Sequence, residues 1–413
     1  MHTLQQLKSG ELTGITRLKI IENLSTFPTE IYQLADSLEI LDLSSNQLCS
    51  LPNDFAKLHK LKILFLSDNA FTHLPEVLGL CPELEMIGFK ANQIKTVSEK
   101  SLPPKTRWLI LTDNQIKTLP NAIGQLKRLQ KLMLAGNQLT TLPESMAQCK
   151  NLQLLRISAN QLSELPDWLL ALPKLAWLAF SGNPFCKPND QQAFTQPKNI
   201  KRLPTVALNE FKLNKVLGEG ASGLIYHANW LGSSPTKAST KQIGQNKTQQ
   251  DVAIKLFKGQ VTSDGYPEDE LKACVIAGQH QNLVQMVAQI QEPNQAGLVM
   301  TLIPETYFNL GLPPCFKTCT RDNFSEGFTL SDADISKIIE GATNALKHLH
   351  NQQLCHGDFY AHNILIDHNA NVLLSDLGAA SYFQFLPEQQ QRAIKKIEMR
   401  ALNHLIEDLS NLK

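Results

Sequence analysis

From about residue 15 to residue 185, apolar and polar positions recur in one frame: "LDLSSNQL", "LFLSDNAF", "IGFKANQI", "LILTDNQI", "LMLAGNQL", "LRISANQL" and "LAFSGNPF". Their asparagines, Asn46, Asn69, Asn92, Asn114, Asn137, Asn160 and Asn183, stand 23 residues apart, with one step of 22. Each unit reads as a short strand with leucines pointing inward, followed by a turn where the Asn side chain can satisfy backbone groups between successive coils. An "LP" dipeptide then opens the return segment at Leu51-Pro52, Leu74-Pro75, Leu119-Pro120, Leu142-Pro143 and Leu165-Pro166. An earlier copy, "LKIIENLSTFP" with Asn23, is one residue short before its proline and fits a divergent capping repeat.

Strand alternation also names the residues that point outward. One row reads Ile40, Ile63, Met86, Trp108, Lys131, Leu154 and Trp177, and a second adds Phe65, Ile110 and Met133. A sizeable apolar stripe is therefore expected to face solvent or a partner. The other reading of the same residues is that they pack against each other on a crowded sheet.

These repeats resemble the leucine-rich-repeat family, whose repeat length covers this period. The resemblance implies an α/β solenoid, or horseshoe, that binds protein partners on its concave face.

After Asn183 the frame stops, and "CKPNDQQAFTQPKNIKRLP" reads as a linker. A new pattern begins with "FKLNKVLGEGASGLIYHA", where apolar alternation on both sides of Gly218, Gly220 and Gly223 predicts strand, turn, strand. "DVAIKLF" predicts a further strand carrying Lys255, and the polar stretch "LGSSPTKASTKQIGQNKTQQ" between the two is expected to be a mobile loop. "LSDADISKIIEGATNALKHLH" predicts a helix with a capping box of Ser331 and Asp334 and a buried face of Ile335, Ile338, Ile339, Ala342, Leu346 and Leu349. A last helix buries Ile394, Ile397, Ala401, Leu402, Leu405 and Leu409.

With "HGDFYAHNIL" and "VLLSDLGAAS" downstream, four motifs stand in the order of the protein-kinase family, which residues 208 to about 408 resemble. The resemblance implies a bilobal α+β fold that uses ATP and Mg²⁺. Gly218, Glu219, Gly220 and Gly223 would cover the phosphates, with Ile225, Ala253, Met300 and Leu302 completing the ATP-binding set. Lys255 would pair with the α- and β-phosphates and be held by Glu270, with Glu268 as the other choice. Asp358 would orient the attacking hydroxyl and accept its proton, while Asn363 and Asp376 would hold Mg²⁺.

The sequence departs from the family at several points. Gly357 replaces an Arg that receives an activation-loop phosphate in many kinases, and Tyr360 replaces a Lys that contacts the transferring group. Loss of one such donor costs roughly 10²–10³ in rate. Leu377 replaces Phe in "DLG", no "APE" follows, and Glu398 stands where the central helix of the C-lobe has Asp. The later C-lobe helices do not follow in this sequence, and a shortened C-lobe is expected. Either the repeats capture the substrate, or the acceptor needs no peptide groove. "HGD" with Asn five residues after Asp also resembles aminoglycoside and choline kinases. "VAIK", "HQNLV" and the attached repeats look more like leucine-rich-repeat protein kinases of bacterial type.

The expected organisation is a cap at 1–14, repeats at 15–186, a linker at 187–207 and a kinase-like domain at 208–413, with lobes at about 208–302 and 303–413. The expected activity is transfer of the ATP γ-phosphate to a protein Ser or Thr. A small-molecule phosphotransferase and a nucleotide-binding scaffold are the alternatives.

Composition changes this picture little. A chain of 413 residues with 42% hydrophobic residues can bury two or three cores, and a net charge of +1 gives no field that would favour nucleic acid or an anionic membrane. No stretch approaches the roughly 20 apolar residues of a membrane span, so a cytoplasmic protein is expected. The eight cysteines form no CxxC pair and read as reduced thiols; Cys315 and Cys319 come nearest to a pair.

Overall fold

The computed structural model describes residues 1–187, 203–220, 223–231, 250–258, 261–262, 264–293 and 295–412. Most of the expected linker and of the polar insertion lies outside these residues. The chain divides into two compact units, Met1–Leu178 with Asn183–Phe185, and Ala179–Gly182 with Cys186–Lys413. No helix among the described residues is long and apolar enough to cross a membrane.

In the repeat unit, eight short strands form one sheet: β1 (Arg17–Lys19), β2 (Ile40–Asp42), β3 (Ile63–Phe65), β4 (Met86–Gly88), β5 (Trp108–Ile110), β6 (Lys131–Met133), β7 (Leu154–Arg156) and β8 (Trp177–Ala179). Neighbours are parallel and in step, so Ile40 lies beside Ile63, Ile63 beside Met86 and Met86 beside Trp108. The central residues Leu41, Leu64, Leu109, Leu132 and Leu155 are fully buried. Pro75, Pro120 and Pro143 each precede a short 3₁₀ turn, where a fixed φ starts the return segment without needing an N–H.

The asparagines form a ladder. Asn137 donates from Nδ2 to the Leu111 carbonyl at 2.9 Å and the Leu134 carbonyl at 3.0 Å, and accepts the Ile116 N–H at 3.0 Å. Asn92, Asn114 and Asn160 make the same set of bonds one coil away. The residue before each is left-handed: Ala91 and Ala159 adopt φ near +54° and +53°, as Gly136 does at +69°. The ladder thus holds a turn that alanine alone disfavours. Asn137→Ala would leave the buried Ile116 N–H without its acceptor, while the Leu111 and Leu134 carbonyls keep bonds from Asn114 and Asn160, and is expected to cost about 1–3 kcal/mol in urea unfolding. A loss below about 1 kcal/mol would mean that water replaces the side chain.

The outward row needs correction. Ile63, Met86, Leu154 and Trp177 are buried, and Ile40, Phe65, Trp108, Ile110 and Met133 are half-buried, so there is no fully exposed stripe. Parallel strands set such side chains about 4.8 Å apart, and they cover one another. Phe65 lies across Gly88. The Lys131 ammonium sits 4.3 Å from the Trp108 ring centre, while the Trp108 Nε1–H points at Met133 Sδ, 3.5 Å away.

The second unit opens with a six-stranded sheet made of β9 (Thr205–Val206), β10 (Phe211–Glu219), β11 (Gly223–Trp230), β12 (Gln250–Phe257), β13 (Met286–Glu292) and β14 (Gln295–Thr301), in the order β9-β13-β14-β12-β11-β10. Helix α1 (Pro267–Ala277) follows β12. One sheet face closes a core of Phe211, Ala228, Trp230, Val252, Ile254, Ala288, Ile290 and Val299. The alternate residues of β12, Ala253 and Lys255, therefore point to the other face.

Below this sheet, β15 (Phe308–Asn309) leads through an irregular loop to helix α2 (Asp332–Asn351) and β16 (Leu354–Cys355). Strands β17 (Ile364–Ile366) and β18 (Val372–Leu374) pair with each other, β19 (Ser381–Tyr382) pairs with β16, and helix α3 (Glu388–Ser410) follows. Ser331 caps α2 by accepting the Asp334 N–H at 3.1 Å, but Asp334 turns to the Ser331 hydroxyl at 2.6 Å. The expected capping box is thus only half made. Asp is one methylene shorter than the Glu or Gln that reaches back to the N-cap N–H. On α2, Ile335, Ile338, Ala342, Leu346 and Leu349 are buried, whereas Ile339 is half-buried. All six expected apolar residues of α3 are buried.

Candidate active site

Strand register gathers the site. Ile225 on β11 lies opposite Lys255, and Ala253 lies opposite Met300 on β14, so these four share the sheet face that looks away from the core. Ala253 and Met300 are buried, while Ile225 and Leu302 are half-buried. Gly223 must be glycine for packing, because a Cβ there would collide with the Leu256 carbonyl. Gly218 and Gly220 face open space instead. The Glu219 carboxylate accepts from Lys258 Nζ at the rim, so that side chain is already engaged.

Lys255 Nζ donates to Glu270 Oε1 at 2.5 Å and lies 3.3 Å from Asp376 Oδ1. Glu268, two residues earlier and so on the other side of the helix, is exposed, and the partner of Lys255 is Glu270. Burial opposes the Lys255 charge, but Asp376 and Glu270 outweigh it and hold the ammonium above its ordinary range. Burial pushes the Glu270 carboxyl up to about 7, against the pull of Lys255. The Asp376 side chain remains 47% exposed. Its crowded surroundings raise its pKa and Lys255 lowers it, with a net shift below the usual carboxylate value. Gly378 packs against both Asp376 and Glu270, and its N–H donates to Asp376 Oδ1 at 3.2 Å.

The segment 356–363 is held from several sides. His356 is fully buried, with Nε2 2.9 Å from the Ser375 carbonyl and Nδ1 accepting the Asp358 N–H at 3.2 Å. Those two bonds fix the neutral tautomer with hydrogen on Nε2. Asn363 Nδ2 donates to the Asp358 carbonyl at 2.8 Å and to Oδ2 at 2.9 Å. Ser375 donates its N–H and its hydroxyl to the Asn363 carbonyl, both at 2.9 Å, which joins this segment to the one bearing Asp376.

Two departures from the family pattern acquire a structure. Gly357 has φ +73°, a region that favours glycine, and its N–H donates to Glu398 Oε1 at 2.8 Å. Glu398 Oε2 lies 2.7 Å from His350 Nε2, so one buried carboxylate spans α2, α3 and the catalytic segment. Tyr360 is 1% exposed and its ring lies 5.5 Å from that of His362. It points into the protein and does not replace the missing Lys in the cleft.

Sequence reasoning missed His350 and Asp322, whose carboxylate accepts the Ala361 N–H at 2.7 Å. Neither belongs to a motif, and their partners lie 48 and 39 residues away. The segment between Asp376 and α3 is also short and closely packed. Ala379, Ala380, Ser381, Phe383 and Leu386 are all buried.

A sheet Lys paired with a helix Glu, a charged Asp beside them and an Asp–Asn pair on a rigid loop define a phosphotransferase cleft of the kinase kind. Residues 211–403 match the model of protein tyrosine and serine/threonine kinases, and residues 36–94, 104–162 and 127–185 match that of leucine rich repeats. The chain thus carries leucine-rich repeats and a domain of the protein tyrosine and serine/threonine kinase family. It is 39% identical over 134 residues to the "Probable serine/threonine-protein kinase pats1" of Dictyostelium discoideum, over 30% of this chain and 4% of that protein. It is 27% identical over 178 residues to a receptor-like protein kinase of Arabidopsis thaliana, over 42% of this chain and 32% of the relative. A G-type lectin S-receptor-like serine/threonine-protein kinase of the same plant is 28% identical over 196 residues, 45% of this chain and 20% of its own length. The chain spans no more than about a third of the length of these relatives.

Proposed function

We propose that the second unit transfers the γ-phosphate of ATP to a Ser or Thr hydroxyl on a protein, and that the repeat unit binds the protein partner. The observation that carries this reading is Lys255 held between Glu270 at 2.5 Å and Asp376 at 3.3 Å, on the same cleft as the braced Asp358–Asn363 pair. Lys255 binds the α- and β-phosphates, and Glu270 keeps its ammonium aimed into the cleft. Asp358 accepts the proton of the acceptor hydroxyl. The hydroxyl oxygen forms a bond to the γ-phosphorus, the bond from that phosphorus to the β,γ-bridging oxygen breaks, and ADP leaves.

A kinase domain implies ATP with a divalent cation, and the residues here suit Mg²⁺. Asp376 presents a carboxylate to the cleft, and the bonds that Asn363 makes through Nδ2 leave its Oδ1 as a second hard oxygen donor. Mg²⁺ bound with a nucleotide takes one or two carboxylates plus phosphate oxygens, which this pair allows. When bound, the ion neutralises charge on the β- and γ-phosphate oxygens.

For the repeat unit, Ile40, Phe65, Trp108, Ile110 and Met133 are the half-buried residues through which a partner would be recognised. Repeat solenoids use such extended surfaces for binding.

Labelled ATP tests the activity. Label is expected on protein substrates with Mg²⁺ and not with a chelator, and Lys255→Met should lower it roughly 10²–10³-fold. Equal labelling by wild type and variant would remove the assignment. Label recovered as phosphotyrosine or in small metabolites would overturn the acceptor.

A further inference from the structure

The loop between β15 and α2 brings an aspartate onto the catalytic segment from outside the kinase motifs. Asp322 Oδ1 accepts the Ala361 N–H at 2.7 Å, and Ala361 is fully buried between Asp358 and Asn363 in sequence. A buried N–H at that position needs an acceptor, and Asp322 is the one it has. Asp322 is itself anchored. Its own N–H donates to Asp408 Oδ2 on α3 at 3.2 Å. Arg321 grips the same carboxylate through Nε at 3.1 and 2.9 Å and through Nη2 at 2.5 Å, and also reaches Glu407 at 3.1 Å. A continuous run of bonds therefore leads from α3 through Asp408 and Asp322 to Ala361.

The electrostatics are costly for a side chain that only fills a loop. Burial pushes the Asp322 carboxyl up to about 7; the Ala361 N–H and Arg321 oppose that, while Asp408 and Asp358 add to it. Asp322 and Asp358 thus lie close enough for their charges to be felt.

We infer that Asp322 is a positioning residue for the transfer: its carboxylate fixes the catalytic segment at Ala361, and with it the line from Asp358 to Asn363. The inference rests on Asp358 being the base of the proposed reaction. Asp322 acts through Ala361, and Arg321 with Asp408 acts through Asp322. A reacting group displaced by about 1 Å can lose 10²-fold in rate, which sets the scale of the effect.

Asp322→Ala and Asp322→Asn in the full chain separate this role from simple folding. The alanine variant loses the acceptor and should show kcat lowered about 10–100-fold with KM for ATP within about twofold. The asparagine keeps an acceptor oxygen and should return kcat to within about threefold of wild type. Hydrogen exchange at the Ala361 amide gives a readout that needs no activity: protection should fall in the alanine variant and persist in the asparagine variant. Unchanged protection and kcat in Asp322→Ala would overturn the inference, as would equal impairment of both variants. A wild type that transfers no phosphate would remove the reading of the site, and the role of Asp322 in the reaction with it. The amide measurement would still decide whether Asp322 holds the loop.

Discussion

Asp358→Asn is expected to lower phosphate transfer about 10²–10⁴-fold, the range a positioned general base supplies. The shape of the site should survive, because asparagine keeps an oxygen that can accept from Asn363 Nδ2, as Asp358 Oδ2 does at 2.9 Å. ATP affinity should hardly change, since Lys255, Glu270 and Asp376 form a separate cluster. Stability should stay level or rise. The Asp358 charge works against ionisation of both Asp376 and Asp322, so its removal relieves two unfavourable interactions. The measurement is kcat together with thermal unfolding of the same preparation. A variant that loses activity only because it unfolds would show a lower melting temperature, and would remove Asp358 as the base. A variant that keeps more than a tenth of the activity would do the same.

The parts of this molecule that were legible in its sequence are those repeated or locally encoded. A near-constant period of 23 residues displays the Asn ladder directly, because each Asn bonds to the preceding coil, and the one step of 22 keeps the same bonds at Asn114. Lys255 on its strand and the Asp358-Asn363 segment are likewise set by local pattern. Which glutamate meets Lys255 could be ranked from spacing; the structure resolves it, with Glu270 buried on the inner side of α1 and Glu268 exposed. What could not be read depends on neighbours distant in sequence. Alternation says that Met86 and Trp177 point away from the leucine core, but not that they end up covered. Tyr360 marks a missing Lys in the sequence, and only packing shows its ring turned inward. Asp322 and His350 lie in a loop without a period and at the end of a helix, where nothing local announces their partners.

Glu398→Ala is expected to destabilise the kinase domain by about 3–5 kcal/mol, comparable to breaking a buried pair. The side chain is 3% exposed and makes two bonds at once, from Gly357 N–H at 2.8 Å and with His350 Nε2 at 2.7 Å. Removing it leaves a backbone donor and an imidazole, itself 8% exposed, without that acceptor, and opens a cavity beside α3. A domain stable by only 5–15 kcal/mol would lose a large part of its margin. The damage should also reach the reaction, because Gly357 adjoins Asp358 and takes a left-handed φ of +73° that this bond helps to hold. Glu398→Gln separates the two effects. Its amide oxygen can still accept the Gly357 N–H, so most of the rate should return, while its NH₂ meets His350 less well and about 1 kcal/mol stays lost. Denaturant unfolding followed by hydrogen exchange within 388–410 reads the stability of α3 apart from the repeat unit. If Glu398→Ala costs less than about 1 kcal/mol and leaves kcat unchanged, the other bonds of the catalytic segment hold it without this carboxylate.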